Sequence, residues 1–367
     1  EKRLRLNKDK SVCLVWGSDK QKKEIKEQLR MNPLRCGEVQ MIMTDSDKWL
    51  GDYLHSDGLA ASALQTIIQR GGKVKGAALE ISAIVDDWRS HLVGGFVTGL
   101  LLWESCCVSS LLHNSGSWVG LSEPAEKRLE SLQLWYLRLL LRQGPGAASG
   151  SLLWETKTLS IKLRIWREKL SLGLHIVRLS EDSLAKRIWT EQKLYGWPGL
   201  ADECDNIVKE LGIEDINITE LSKGDFRKQT TEACHRLNEK RLRESMRGKR
   251  KCEKILSEGY GRKDYFDKAR PEQVRQYFAT RTDMLAIAGN FSGDRRRFQR
   301  TDWLCRCGQR EEQEHLLRHC YVYDDIRAKY GNLNSDESLV PFFQEVLDKR
   351  DRILEEERKK DIEEKED

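Results

Sequence analysis

The sequence predicts a mainly α-helical protein that begins with a small α+β segment and carries a compact cysteine- and histidine-rich module near its C-terminus. Three observations support this fold class. Charged residues make up 34% of the 367 residues and proline occurs only six times, a composition typical of helices with solvated faces. From residue 59 onward, apolar residues recur at helical spacing. Before that point the apolar runs are short and end in glycine or turn residues, as strands do.

The first 58 residues form the predicted α+β segment. Short apolar runs at residues 12–16 and 39–43 predict strands, and the charged residues 20–29 predict a helix between them. A third strand or hairpin edge is predicted at residues 49–54, followed by the turn residues 56–58. Three short strands bury too little apolar surface for a sheet with its own core, so we expect further strands upstream.

Helical periodicity dominates the rest of the chain. Residues 64–68 and 77–85 predict two helices, and residues 122–140 predict an amphipathic helix that starts at a serine and an early proline. The glycine- and serine-rich residues 144–151 predict an interdomain linker. The apolar run 92–103 is too short to span a membrane, so we predict a buried helix there. Further helices are predicted at residues 161–179, 183–193, 202–211, 223–247, 271–286 and 339–365.

Near the C-terminus, four potential metal ligands fall within sixteen residues: Cys305, Cys307, His315 and Cys320. Three thiolates and one imidazole are the ligand set and number of a closed tetrahedral zinc site. Gly308 permits a tight turn after the second cysteine, and residues 311–320 predict a short helix that carries the other two ligands. His319 is the alternative ligand, but as the neighbour of Cys320 it is expected to point away. Without a metal, the same residues would be reduced surface cysteines beside an ordinary helix.

Charge is unevenly distributed along the chain. Residues 223–300 contain 22 Lys and Arg against 11 Asp and Glu, an excess of +11, whereas residues 335–367 contain 7 against 13, an excess of −6. Two cation clusters stand out: Arg247, Lys249, Arg250 and Lys251, and Arg295, Arg296 and Arg297. Aromatic residues are interleaved with them: Tyr260, Tyr265, Phe266, Tyr277, Phe278, Phe291 and Phe298. We interpret the segment as a surface for nucleic-acid phosphates and bases, with a solvated helix surface as the alternative.

Two stretches of the α+β segment resemble motifs of a known family. Residues 4–11, Leu-Arg-Leu-Asn-Lys-Asp-Lys-Ser, and the apolar residues that end at Gly17 resemble the fourth palm motif of reverse transcriptases from non-LTR retrotransposons. Residues 48–54, Lys-Trp-Leu-Gly-Asp-Tyr-Leu, resemble the next motif, a hairpin that holds the primer. In that family a helical region, a basic segment and a C-terminal cysteine-histidine knuckle follow in the same order.

The resemblance implies a division of the chain into six segments. They are an incomplete palm at 1–58, a helical thumb at 59–143, a helical connector at 152–222, a basic helical region at 223–300, a CCHC zinc knuckle at 301–330, and an acidic helix and tail at 331–367. It also implies that nucleic acid is contacted by Lys8, Lys10, Trp49, Leu50 and Gly51. Lys10 corresponds to a lysine that lies near the incoming nucleotide in the family.

The resemblance further implies that this chain alone is not a polymerase. The family holds two Mg²⁺ ions with aspartates, two of which belong to a Tyr/Phe-x-Asp-Asp turn that does not occur in this sequence. Mg²⁺ is therefore expected only if the missing part of the palm is supplied. Asp324 and Asp325 are predicted to be a solvated helix face and not a metal pair, because adjacent carboxylates on a helix point about 100° apart.

The predicted function is that of a nucleic-acid-binding C-terminal fragment of such a polymerase. Its expected partners are template RNA, target DNA and the rest of the polymerase. The alternative is a domesticated zinc-knuckle scaffold that binds proteins through its helices; a zinc hydrolase is less favoured, because protein ligands fill all four zinc positions. The cysteines follow no disulfide-like pattern, and no signal peptide or membrane span is predicted, so we expect an intracellular protein of the nucleus or cytoplasm that is not secreted.

Overall fold

The computed structural model describes residues 12–15, 18–36, 39–49, 52–87, 94–144, 146–214, 221–285, 287, 304–331, 333 and 335–366. These residues are mainly helical with a few short strands, which confirms the predicted fold class at that level. None of their helices is both long enough and apolar enough to cross a bilayer. The chain divides into two compact units: unit 1 comprises residues 1–79, 103–133 and 159–238, and unit 2 comprises residues 80–102, 134–158 and 239–367.

The α+β segment consists of short strands around one helix. Its elements are β1 Val12–Cys13, α1 Asp19–Met31, β2 Arg35–Cys36, β3 Val39–Gln40, β4 Ile42–Met43, β5 Ser46–Trp49 and β6 Asp52–His55. β1 pairs with β4 in parallel, whereas the pairs β2–β3 and β5–β6 are antiparallel. The single strand predicted at residues 39–43 is wrong, because the amide of Met41 donates to the carbonyl of Leu34 at 2.9 Å and separates β3 from β4. The hairpin expected around residues 49–54 is present.

Helix α1 is fixed at its start and along one side. The Ser18 hydroxyl accepts the Gln21 amide, and the Gln21 side chain accepts the Ser18 amide, which forms a capping box. Lys22 then contacts Asp57 at 2.6 Å, just after β6, and Lys26 pairs with Asp45 before β5. These pairs join the helix to the open end of the β5–β6 hairpin, where β5 begins and β6 ends.

The rest of the chain is a succession of helices. They are α2 Leu59–Asp87, α3 Gly95–Leu102, α4 Ser109–Leu111, α5 Glu123–Leu141, α6 Ser149–Glu155, α7 Ile161–Val177, α8 Leu184–Tyr195, α9 Leu200–Leu211, α10 Lys223–Met246, α11 Glu253–Ser257, α12 Tyr265–Lys268, α13 Pro271–Arg281, α14 Gln313–Arg318, α15 Asp324–Tyr330 and α16 Asp336–Glu366. A π-helical stretch, Trp103–Val108, joins α3 to α4. The two helices predicted between residues 64 and 85 are one continuous helix, α2.

The core of unit 1 is formed by α7, α8, α9 and the start of α10. Its apolar side chains include Trp166, Leu170, Trp189, Ile207 and Phe226. Gly173 of α7 allows a close approach of α8, because a Cβ there would lie 2.9 Å from a ring carbon of Trp189. The helical stripes predicted over residues 161–211 therefore become the packed core of this unit.

Unit 2 contains the residues predicted to form a linker. The prediction is wrong for residues 149–151, which lie in α6, where Ser151 is buried and Gly150 abuts the side chain of Met246. Glu155, at the end of α6, is fully buried and accepts two hydrogen bonds from Arg281 of α13 at 2.9 and 3.1 Å. Glycine and serine thus serve close packing here rather than chain mobility.

Candidate metal centre and nucleic-acid interface

A tight turn positions the first two cysteines of the cluster. The Gly308 amide donates to the carbonyl of Cys305 at 2.8 Å, and the amide of Cys305 donates to the carbonyl of Gln309 at 2.7 Å. Gly308 has a φ of 84°, a left-handed conformation that a residue with a Cβ adopts only under strain. The turn therefore requires glycine and directs Cys305 and Cys307 toward one point.

Helix α14 supplies the other two residues. His315 lies within the helix, and its carbonyl accepts hydrogen bonds from the amides of His319 at 2.9 Å and Cys320 at 3.0 Å as the helix ends. This C-terminal turn brings Cys320 beside His315, while the side chain of His319 is exposed. The predicted helix over residues 311–320 is thus shorter in the structure: it carries His315, and Cys320 follows two residues after its end.

The four donor atoms of Cys305, Cys307, His315 and Cys320 all lie within 4.8 Å of one another. Cys305 Sγ is 3.3 Å from Cys320 Sγ, and Cys307 Sγ is 3.1 Å from His315 Nε2. The edge of a zinc–sulfur tetrahedron is about 3.8 Å, so these separations match the size of one metal site. The sulfur atoms are too far apart for a disulfide, and all ten cysteines are free thiols. The arrangement fits a single tetrahedral metal ion.

Burial makes these thiols poor acids unless a cation is present. Cys305 and Cys320 are buried, and burial raises the pKa of Cys305 to about 12 and also raises the pKa of Cys320. Burial lowers the pKa of His315, so its imidazole is a neutral donor at pH 7. A coordinated divalent cation reverses the effect on the thiols, because it favours the thiolate. Backbone amides of Cys307 and Val322 already donate to the sulfur atoms of Cys305 and Cys320.

The cluster is held in an apolar core of unit 2. Cys305 and Cys320 pack with Leu316 and Tyr323 and with the first half of α16, where Phe342 and Phe343 are buried. The C-terminal helix predicted as an acidic helix and tail therefore begins as a core element. Its apolar face covers the knuckle, and the acidic residues follow beyond that face.

Two polar contacts that the sequence analysis missed support the cluster from outside. Glu311 is buried and accepts a hydrogen bond from Arg350 of α16 at 2.7 Å. Arg327 of α15 donates to the carbonyl of Leu316 at 2.8 Å and also to the carbonyl of Cys320. Glu311 and Arg350 are 39 positions apart in the chain, and no spacing rule pairs residues at that distance.

The cationic residues predicted to contact nucleic acid have different surroundings. Arg247 and Lys249 are exposed just after α10. The Lys251 ammonium instead donates to the carbonyl of Asp283 at 2.9 Å, which ties it to the end of α13. The residues outside the described part of the chain are Lys8, Lys10, Leu50, Gly51, Arg295, Arg296 and Arg297; for Trp49 and Arg250 only the backbone is described.

The predicted base-stacking role is wrong for two of the interleaved aromatic residues. Phe266 and Phe278 are fully buried, and Phe266 packs against Phe96 with a centroid separation of 4.9 Å. Tyr265 stacks on Tyr277 at 5.1 Å and donates to the buried Glu155 at 2.9 Å. Phe266 and Phe278 thus belong to the core of unit 2, because helices α12 and α13 direct them inward, whereas Tyr265 and Tyr277 are half-buried; Phe291 and Phe298 lie outside the described residues.

Comparison with known proteins gives no identification. No family model matches the chain, and no curated protein matches it. The function is therefore inferred from the site, the charge distribution and the motifs of the chain itself.

Proposed function

We propose that this chain is a zinc-containing, nucleic-acid-binding part of a non-LTR retrotransposon reverse transcriptase. In this proposal it contributes binding to template RNA or target DNA and no catalysis of its own. The observation that carries the proposal is the convergence of four buried or half-buried donors of the CCHC type on one point. Zinc suits this donor set better than Mg²⁺ or Ca²⁺, which prefer oxygen ligands.

The role of the metal is structural in this proposal. Three thiolates and one imidazole complete a tetrahedral coordination sphere, so no position is left for a reacting water molecule. The ion would hold the turn at Gly308, helix α14 and the apolar face of α16 in one arrangement. A zinc hydrolase is disfavoured for the same reason.

Charge supports nucleic acid as the partner. The knuckle follows the basic residues 223–300, and Arg247 and Lys249 present unburied cations close to the end of α10. Contacts from such side chains go mainly to phosphates, so binding is expected to depend little on base sequence and strongly on salt. The acidic end of α16 would compete with phosphates for the same cations.

The nucleic-acid proposal predicts a measurable salt dependence. We expect the affinity for a single-stranded RNA to fall steeply with salt in a fluorescence-anisotropy titration. Replacing Arg247 and Lys249 by alanine should reduce the slope of log K against log salt by about 1.4, because each phosphate contact to a single strand contributes about 0.7. Replacing Arg295, Arg296 and Arg297 by alanine should reduce it by about 2.

The matched control removes two exposed cations from the acidic helix. Arg352 and Lys359 lie on α16, and alanine at both positions should leave the slope unchanged or strengthen binding slightly. Absence of RNA binding by the wild-type chain, or binding that does not respond to salt, would contradict the nucleic-acid proposal. Such a result would favour the protein-binding scaffold instead.

A further inference from the structure

Helix α8 has an exposed apolar stripe on the face opposite its packed side. Trp189 is buried and anchors the helix in the core of unit 1. Leu184, Ile188 and Tyr195 lie within about 40° of one another around the helix, and their exposed fractions are 70%, 46% and 62%. This pattern is the reverse of an ordinary surface helix, in which the outer face is polar.

Two further side chains extend the stripe. Trp197, which is 52% exposed, follows the C-cap Gly196 and stacks on Tyr195 with a centroid separation of 5.1 Å. Leu194 is 70% exposed at the edge of the stripe. At roughly 200 Å² for a whole side chain, the five exposed fractions leave on the order of 600 Å² of apolar surface in contact with water. A stable interface takes about 800 Å² from each partner, so the stripe and its polar rim match that size.

Two opposite charges border the stripe on the same side as Leu194. Arg187 and Glu191 are both exposed and lie one turn apart on α8. A two-fold axis perpendicular to the helix at the height of Trp189 and Thr190 places a second copy antiparallel to the first. In this arrangement Arg187 of one copy lies opposite Glu191 of the other. The same operation brings Leu184 opposite Tyr195, so both the charges and the apolar side chains are self-complementary.

We propose that α8 is the contact helix of a homodimer, in which two copies pack antiparallel through Leu184, Ile188, Leu194, Tyr195 and Trp197. The Arg187–Glu191 pair forms twice across the interface and sets the register. Exposed aliphatic side chains make up most of the stripe, and these favour a protein surface over nucleic-acid bases, which stack on aromatic rings. A second copy is the occupant because the charge pattern of the helix complements itself.

Charge reversal tests the proposal on the 367-residue chain. We expect the wild-type chain to sediment as a concentration-dependent dimer. Arg187→Glu alone and Glu191→Arg alone should each raise the dimer Kd by at least about tenfold, because each places two like-charged pairs in the interface. An equimolar mixture of the two variants should form a one-to-one heterodimer, since opposite charges then face each other again. The double variant R187E/E191R should also recover the wild-type Kd.

Two controls separate the interface from general effects. Lys228→Glu reverses an exposed charge on α10 and should leave the dimer unchanged. The circular dichroism spectra and Tm of all variants should match the wild type, because the substituted side chains are exposed. A wild-type chain that stays monomeric at high concentration would overturn the proposal. Dimers that withstand both single reversals, or variants that fail to form a heterodimer when mixed, would overturn it as well.

Discussion

Replacing Cys305 and Cys307 by serine is expected to release zinc and to unfold the C-terminal part of unit 2. Structural zinc contributes about 10–16 kcal/mol to the folding of small zinc modules at pH 7, and two remaining ligands do not hold the ion in this geometry. Cys305 and Cys320 also belong to the core that contains Phe342 and Phe343, so loss of the ion should loosen α16. The zinc content per chain measures the release of the ion. Amide hydrogen exchange over residues 304–347 measures the unfolding around it.

Two variants are matched controls for the metal centre. His319→Ala removes an exposed imidazole next to Cys320, and Cys106→Ser removes an exposed cysteine outside the cluster. Both proteins should keep one zinc ion and wild-type exchange rates. A doubly substituted Cys305/Cys307 protein with unchanged zinc content would show that the cluster is not the metal centre. Unchanged protection of α16 in a variant that has lost zinc would show that the ion does not stabilise this helix.

Replacing Glu155 by alanine is expected to destabilise unit 2 by about 3–5 kcal/mol. Both Glu155 and Arg281 are buried, with two hydrogen bonds between them, and Tyr265 donates to the same carboxylate. Removal of the carboxylate takes away the fully buried partner of the Arg281 guanidinium and leaves Glu258, a partly exposed carboxylate, beside it. Urea unfolding followed by circular dichroism measures the loss.

Removal of one charge of the Glu155–Arg281 pair can be compared with removal of both charges. The double variant E155L/R281M removes both charges and keeps most of the volume, so it should be more stable than Glu155→Ala alone. Glu258→Ala, which removes the partly exposed partner of Arg281, should cost clearly less than Glu155→Ala. A loss below about 1 kcal/mol for Glu155→Ala would mean that water reaches the guanidinium and that this pair does not stabilise the core.

Sequence periodicity was sufficient for the helices of residues 161–211, and the spacing of cysteine and histidine was sufficient for the four-residue cluster. The stripes over residues 161–211 have the helical period and form the core of unit 1, because each stripe is long enough to bury one face. The cysteine and histidine spacing needed only a tight turn and one short helix to bring four donors together. The helical period and the cysteine–histidine spacing are both local patterns, so they can be recognised without knowledge of the tertiary fold.

Other features depend on contacts between distant parts of the chain. Two-residue strands such as β3 and β4 are set by their pairing partners, and nothing in the sequence of residues 39–43 marks the break at Met41. Phe266 and Phe278 lie among cations in the sequence, yet helices α12 and α13 turn them into the core. Glu155 looks like an ordinary charged residue at a helix end, and its burial is explained by Tyr265 and Arg281, which lie far along the chain.

X-ray absorption at the zinc edge of the purified wild-type chain reports both the metal and its ligands, so it decides whether the four donors form a zinc site. We expect one zinc ion per chain, with three sulfur atoms at about 2.3 Å and one nitrogen atom at about 2.0–2.1 Å. The zinc absorption edge should be absent from the Cys305/Cys307 double-serine protein, because this protein lacks the ion. A folded wild-type chain without zinc, or zinc bound mainly by oxygen atoms, would show that Cys305, Cys307, His315 and Cys320 do not form a structural zinc site.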